Sequence, residues 1–138
     1  MTAKNAWVIS VKYGTGCYRH LEVPKERTLA ELADDILWAF DFVNDHAHAF
    51  FMDNIAWSEG DAYYASYVDL EDEERHTEDT DLTVLSLGQS FKFVFDFGDD
   101  WRFQCKVLRE TLSEEKETMM VRCVGESPEQ YGDWDWEE

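Results

Sequence analysis

Apolar, β-branched and aromatic residues crowd Ala6 to Tyr13, Gly14-Thr15-Gly16 supplies a turn, and Cys17 to Val23 resumes the pattern, which predicts a β-hairpin. Pro24 closes the second strand. Thr28-Leu29-Ala30-Glu31 then has the Ser/Thr-x-x-Glu form in which the two ends of a first helical turn satisfy each other's free amides, so a helix starts at Thr28. Leu29, Leu32, Ala33, Ile36, Leu37 and Phe40 follow at three- and four-residue spacing and share one face, while Glu31, Asp34 and Asp35 fall elsewhere. The apolar face is expected to cover a sheet.

Ala47 to Trp57 is a strand candidate, and Ser58-Glu59-Gly60-Asp61 turns the chain toward Ala62-Tyr63-Tyr64-Ala65. Leu82 to Leu87 is too short to assign. Phe91 to Phe97 carries the strongest strand signal, Gly98-Asp99 interrupts it, and Asp100 to Leu108 alternates apolar and polar residues at period two, which together predict a second hairpin. Met119 to Val124 adds an edge strand. These elements imply an α+β fold rather than a doubly wound one. We expect a mixed or antiparallel β-sheet with one main amphipathic helix packed on one face, in a β-β-α-β start followed by a β-hairpin. Residues 1–138 read as a single domain with an acidic loop at 69–81 and an acidic aromatic tail at 126–138.

Composition narrows the function classes. With 44% hydrophobic residues, six Trp, six Tyr and nine Phe in 138 residues, the chain has enough apolar material for a core. No run approaches the roughly 20 apolar residues of a membrane span, and the first residues lack a signal-peptide layout, so a cytoplasmic location is expected. Cys17, Cys105 and Cys123 are widely spaced and odd in number, which fits neither a disulfide framework nor a zinc ribbon. The 31 Asp and Glu against 12 Lys and Arg give a formal net charge of −19. That balance disfavours direct nucleic-acid binding, whose affinity rests on cations replacing counterions, and suits a basic protein partner or plain solubility.

Two groups of residues invite chemistry. His46 and His48 are two apart, so on an extended chain both imidazoles face one way; with Asp96, Asp99 and Asp100 from the second hairpin they would make a mixed site for zinc, manganese or iron. No other cofactor is implied. The competing reading makes the histidines packing or hydrogen-bonding residues, with Gly98 permitting a tight turn and its flanking carboxylates binding the turn's own amides. The second group is Trp101 with Tyr131, Trp134 and Trp136, aromatic anchors among acids that would suit a basic groove on a partner or fold back on their own domain. Asp96-Phe97-Gly98 is shared with protein kinases, but the glycine-rich loop, strand lysine and catalytic loop are missing.

Three segments carry a resemblance: the opening strand pair running through Val23-Pro24 to Thr28-Leu29-Ala30-Glu31-Leu32, His46-Ala47-His48-Ala49-Phe50, and Phe95-Asp96-Phe97-Gly98-Asp99-Asp100-Trp101. In type, order and spacing, from about residue 6 to 132, they resemble the plasmid pRiA4b ORF-3-like family. The third segment matches its aromatic-Asp-Phe-Gly-Asp-x-Trp signature. Ala33 stands where that family usually has His, and Tyr131 where it has a late Cys. The resemblance implies a compact domain, often carried by plasmids and mobile elements and including transposon passenger proteins, without an assigned reaction. The expected function is thus a non-enzymatic interaction or accessory domain. A metal-dependent enzyme built on His46, His48 and the Asp96 to Asp100 hairpin is one alternative, and an acidic DNA mimic that occupies a nucleic-acid-binding protein is another.

Overall fold

The computed structural model describes residues 4–65 and 75–130. Seven strands pair antiparallel throughout: β1 (Ala6–Lys12), β2 (Tyr18–Pro24), β3 (His48–Phe51), β4 (Ala62–Tyr64), β5 (Ser90–Phe95), β6 (Trp101–Thr111) and β7 (Met119–Val124). Their order across the sheet is β4-β3-β5-β6-β1-β2-β7. Long-range pairing between β1 and β6 joins the two hairpins and puts the N-terminal strand near the middle. A single α-helix among the described residues, α1 (Leu29–Ala39), lies between β2 and β3 in the chain. The fold is α+β, a seven-stranded antiparallel sheet with one helix.

The helix begins as its sequence dictates. Thr28 Oγ1 accepts from Glu31 N at 3.1 Å and Glu31 Oε1 accepts from Thr28 N at 2.9 Å, which satisfies two amides that have no partner inside the helix. It ends in a Schellman turn: Phe42 N donates to Leu37 O at 2.9 Å and Asp41 N to Trp38 O at 3.1 Å. Asp41 takes the left-handed position at φ 62° that glycine usually fills. The carbonyl of Ala39 accepts from Arg19 Nε at 3.0 Å. Arg19 also donates to Tyr18 O, Val124 O and Ser127 Oγ and lies over the Phe40 ring, so one buried guanidinium ties the helix end to β2 and to the end of β7.

Leu29, Leu32, Ala33, Ile36 and Leu37 of the helix pack with Ile9, Val11, Leu21, Phe91, Phe93, Phe103, Cys105 and Val107 in one core, on one face of the sheet. Apolar residues at period two on the strands meet apolar residues at helical period, as layer packing requires. The opposite face is covered only in part. Over β4, β3 and β5, Ala56 and Phe97 pack on a smaller cluster of Ala49, Phe51 and Val94, and Asn54 accepts from Gln104 Nε2 at 2.7 Å.

Two expectations need correction, and one unassigned segment gains an assignment. The predicted strand at 47–57 stops at Phe51, because Asn54 and Trp57 take left-handed backbone conformations that leave the ladder. The acidic stretch 69–81 is not a solvated loop throughout: Thr77 is fully buried, and a 3₁₀ turn spans Thr77–Asp79. Leu82–Val84, left unassigned, forms another such turn, whose Leu82 is buried and accepts a hydrogen bond from Trp7 Nε1 at 2.8 Å.

Candidate functional site

The hairpin between β5 and β6 is the most elaborated turn. Its left-handed residues are Asp96 (φ 62°) and Asp100 (φ 58°), while Gly98 stays out of that region; the conformational freedom expected of Gly98 is exercised by the two aspartates instead. Aspartate tolerates this backbone because its short carboxylate bonds nearby amides. Asp96 Oδ1 accepts from Asp99 N at 3.4 Å, Asp96 N donates to Ala47 O at 2.9 Å, and Asp100 N returns to Asp96 O at 2.5 Å. Asp99 contributes this backbone contact at the rim.

On one side of the turn, His46 Nε2 lies 3.4 Å from Asp96 Oδ2 and 3.5 Å from Asp45 Oδ1, with the ring edge-on to Phe95. His48 goes elsewhere. It is only 5% exposed, packs on Phe50 and Phe93, and its Nε2 sits 2.8 Å from Thr77 Oγ1. Burial disfavours the charged ring and lowers its pKa to about 4. Of the proposed ligands, the structure therefore joins His46 to Asp96 but gives His48 and Asp100 other partners. Among the described residues no three His, Cys, Asp or Glu side chains converge as a metal would need.

On the other side, Asp100 receives Trp57 Nε1 at 3.0 Å and Arg102 Nη2 at 2.8 Å, and the Arg102 hydrogen bond is the largest influence holding its carboxyl below the usual range. Trp57, itself at φ 65°, stands perpendicular to Phe97 with ring centres 4.9 Å apart, and Phe97 stands perpendicular to Tyr64 at 6.1 Å. Phe51 backs both Trp57 and Tyr64. Trp57, Ser58, Glu59, Gly60, Tyr64 and Arg75 line a cleft of about 610 Å³. Arg75 is held to the wall, bonded to Asp61 at 2.6 Å and lying over Tyr63.

Trp101 packs against Tyr13 and Phe42, and its buried Nε1 lacks a hydrogen-bond partner among the described residues. Tyr131, Trp134 and Trp136 lie outside the described residues. The sequence reading missed Trp57 and Tyr64 as site residues because it placed Trp57 in a strand. A signal was available in Trp57-Ser58-Glu59-Gly60-Asp61, a turn headed by an exposed-prone aromatic. The thiol of Cys105 is fully buried and burial pushes its pKa up, leaving it inert, while Cys17 is half-buried and Cys123 exposed. No helix among the described residues is long and apolar enough to cross a membrane.

The fold is shared with a solved structure of a protein of unknown function from Methanosarcina mazei Go1, at 18% identity and a TM-score of 0.72, covering 88% of this chain and 71% of that one. No curated protein matches the chain. The sequence pattern described as plasmid pRiA4b ORF-3-like protein matches residues 11–134, a span that starts at the end of β1 and contains β2, α1, the His46 segment and the whole Asp96 to Trp101 turn. The chain belongs to the plasmid pRiA4b ORF-3-like protein family.

Proposed function

We propose that this is a non-enzymatic recognition domain whose aromatic cleft holds a Lys or Arg side chain of a basic protein partner. The observation that carries the reading is the cleft's construction: Trp57, in a left-handed backbone conformation and pinned by Asp100, and Tyr64 both stand perpendicular to Phe97. Such strain persists where surrounding contacts over-determine it, and it clusters at ligand sites. Rings of this kind attract a cation through their π faces. Glu59 lines the same cleft and acts on Tyr64 electrostatically, so a carboxylate counter-ion is already present. The net charge of −19 favours encounter with a cationic segment. In this reading the Asp96 to Trp101 signature is a scaffold, with Phe97 packed against Trp57 and Tyr64 and Asp100 as the clamp on Trp57.

Titration of the intact chain with short Lys- and Arg-rich peptides, followed by Trp fluorescence and calorimetry at low salt, tests the reading. Saturable binding should fall about 3- to 30-fold in Trp57→Ala, the range of one cation–π contact, and weaken in Glu59→Gln. Absence of saturable binding, or equal binding of an acidic peptide, counts against it.

For the metal reading the described residues offer His46 with Asp96 and Asp45 beside it, and no observation there favours a metal over recognition. A DNA mimic needs a continuous anionic surface, whereas strand pairing puts Lys12, Lys106 and Arg122 on one face of the sheet.

A further inference from the structure

Among the described residues half of the sheet has no second layer, and the side chains on that face follow from pairing. Directly paired residues on adjacent antiparallel strands point to the same side. One row across the sheet is Lys106, Ser10, His20 and Arg122; the next is Gln104, Lys12, Tyr18 and Val124. Arg102, opposite Val94, and Arg109, opposite Val8, extend the same face at either end. Thus Lys12, Lys92, Arg102, Lys106, Arg109 and Arg122, six of the chain's 12 Lys and Arg, lie on the side away from α1, Lys92 being held by Gln104 and Asn54.

The distribution is not an accident of averaging. With 31 carboxylates present, a cation is expected to find one. Among the described residues Arg102 does, in Asp100, whereas Lys12, Lys106, Arg109 and Arg122 have no carboxylate within salt-bridge distance. Glu22 is the acid on the paired rows of this face, opposite Val8. His20 sits close enough to Arg122 and Arg109 for both to act on it electrostatically. Tyr18 and His20, whose ring centres are 5.2 Å apart with planes 34° from parallel, lie half-buried in the same surface, and Arg122 lies over the Tyr18 ring.

Charges for a phosphate backbone beside flat rings on an open antiparallel sheet are what sheet-type single-strand binders present. Lys106 and Arg122 are three strands apart, about 14 Å at ordinary strand spacing, enough to seat more than one phosphate. An acidic peptide would use the cations but not the rings. The bulk charge does not forbid this, since repulsion from carboxylates beyond the helix layer is screened over a Debye length of about 8 Å at physiological salt.

We propose that the uncovered face of β6, β1, β2 and β7 binds single-stranded nucleic acid, with Lys12, Lys106, Arg109 and Arg122 on phosphates and Tyr18 with His20 under a base. It departs, for this face, from the expectation drawn from net charge, which averages over two unlike faces. It is independent of the aromatic cleft.

Fluorescence anisotropy of the intact chain with labelled mixed-sequence 12-nucleotide RNA and DNA, at several salt concentrations, decides the matter. Binding should be saturable. The combined variant Lys12→Gln, Lys106→Gln, Arg122→Gln should lose at least tenfold in affinity and flatten the slope of log affinity against log salt by about 2. Tyr18→Ala should lose about fivefold or more, and Lys116→Gln, on a surface away from these rows, should change nothing. Thermal melting of each variant verifies that folding is retained. The proposal is overturned by no binding at low salt, by binding that the triple variant retains, by tighter binding of duplex than of single strand, or by an oligoglutamate peptide that binds while the oligonucleotides do not.

Discussion

Replacing His48 by Asn should change how stability depends on pH, and the size of the change follows from burial. The ring packs between Phe50 and Phe93 with its Nε2 on Thr77, and burial lowers its pKa from 6.5 to about 4. Above pH 6.5 it is neutral in both the folded and the unfolded chain and contributes no pH dependence. As pH falls below 6.5, the unfolded chain binds a proton that the folded chain refuses, so stability is lost down to about pH 4 and levels off below, where both states are charged. At about 1.36 kcal/mol per unit of pKa, the loss across that window is about 3 kcal/mol. Carboxylates titrate in the same range: burial raises Asp34 and Asp35, hydrogen bonds lower Asp100 and Glu110, and the overall negative charge relaxes. Urea unfolding of the wild type and of His48→Asn should therefore be measured in parallel at each pH from 8 to 4, because the difference cancels that background. At pH 8 the wild type should be the more stable, through ring packing. Its advantage should shrink by about 3 kcal/mol by pH 4. A difference that stays flat, or an NMR titration of the His48 ring near 6.5, refutes the buried neutral imidazole.

Three further perturbations test the frame that carries both surfaces. Gly125 leaves β7 at φ 84° with its missing Cβ only 2.2 Å from Gly16 O, so Gly125→Ala should destabilise by at least about 2 kcal/mol, read as a lowered thermal midpoint. Arg19→Met removes the donor shared by Ala39 O, Val124 O and Ser127 Oγ, and should lower stability in urea by about 3 kcal/mol with faster amide exchange at the end of α1. Thr28→Ala breaks the reciprocal cap and should lower stability by about 1 kcal/mol, while Thr28→Ser should restore most of it.

Both hairpin positions, the helix start at Thr28 and the edge position of β7 were legible in the chain, since periodicity, turn residues and capping chemistry act over a few neighbouring residues. Where a local rule and a tertiary demand competed, the reading faltered. Aromatic content alone suggested a strand through Trp57, but the chain turns at Asn54 so that Trp57 reaches Asp100, a partner 43 residues away. Gly98 was the natural candidate for a strained backbone, yet the strain falls on Asp96 and Asp100, whose side-chain partners lie within the folded turn and across it.

The sequence by itself determined an α+β chain with one capped amphipathic helix, an aromatic core, a family signature and a strongly negative total charge, because each of these is local or additive. Only the tertiary structure decided which residues meet. Pairing of β1 with β6 and of β2 with β7 gathered cations from β1, β6 and β7 onto one face, and the turn after β3 brought Trp57 to the signature hairpin. Spacing along the chain fixes which side of a strand a residue takes, but register between distant strands is set by the packing of the whole core, and that is where both candidate surfaces were made.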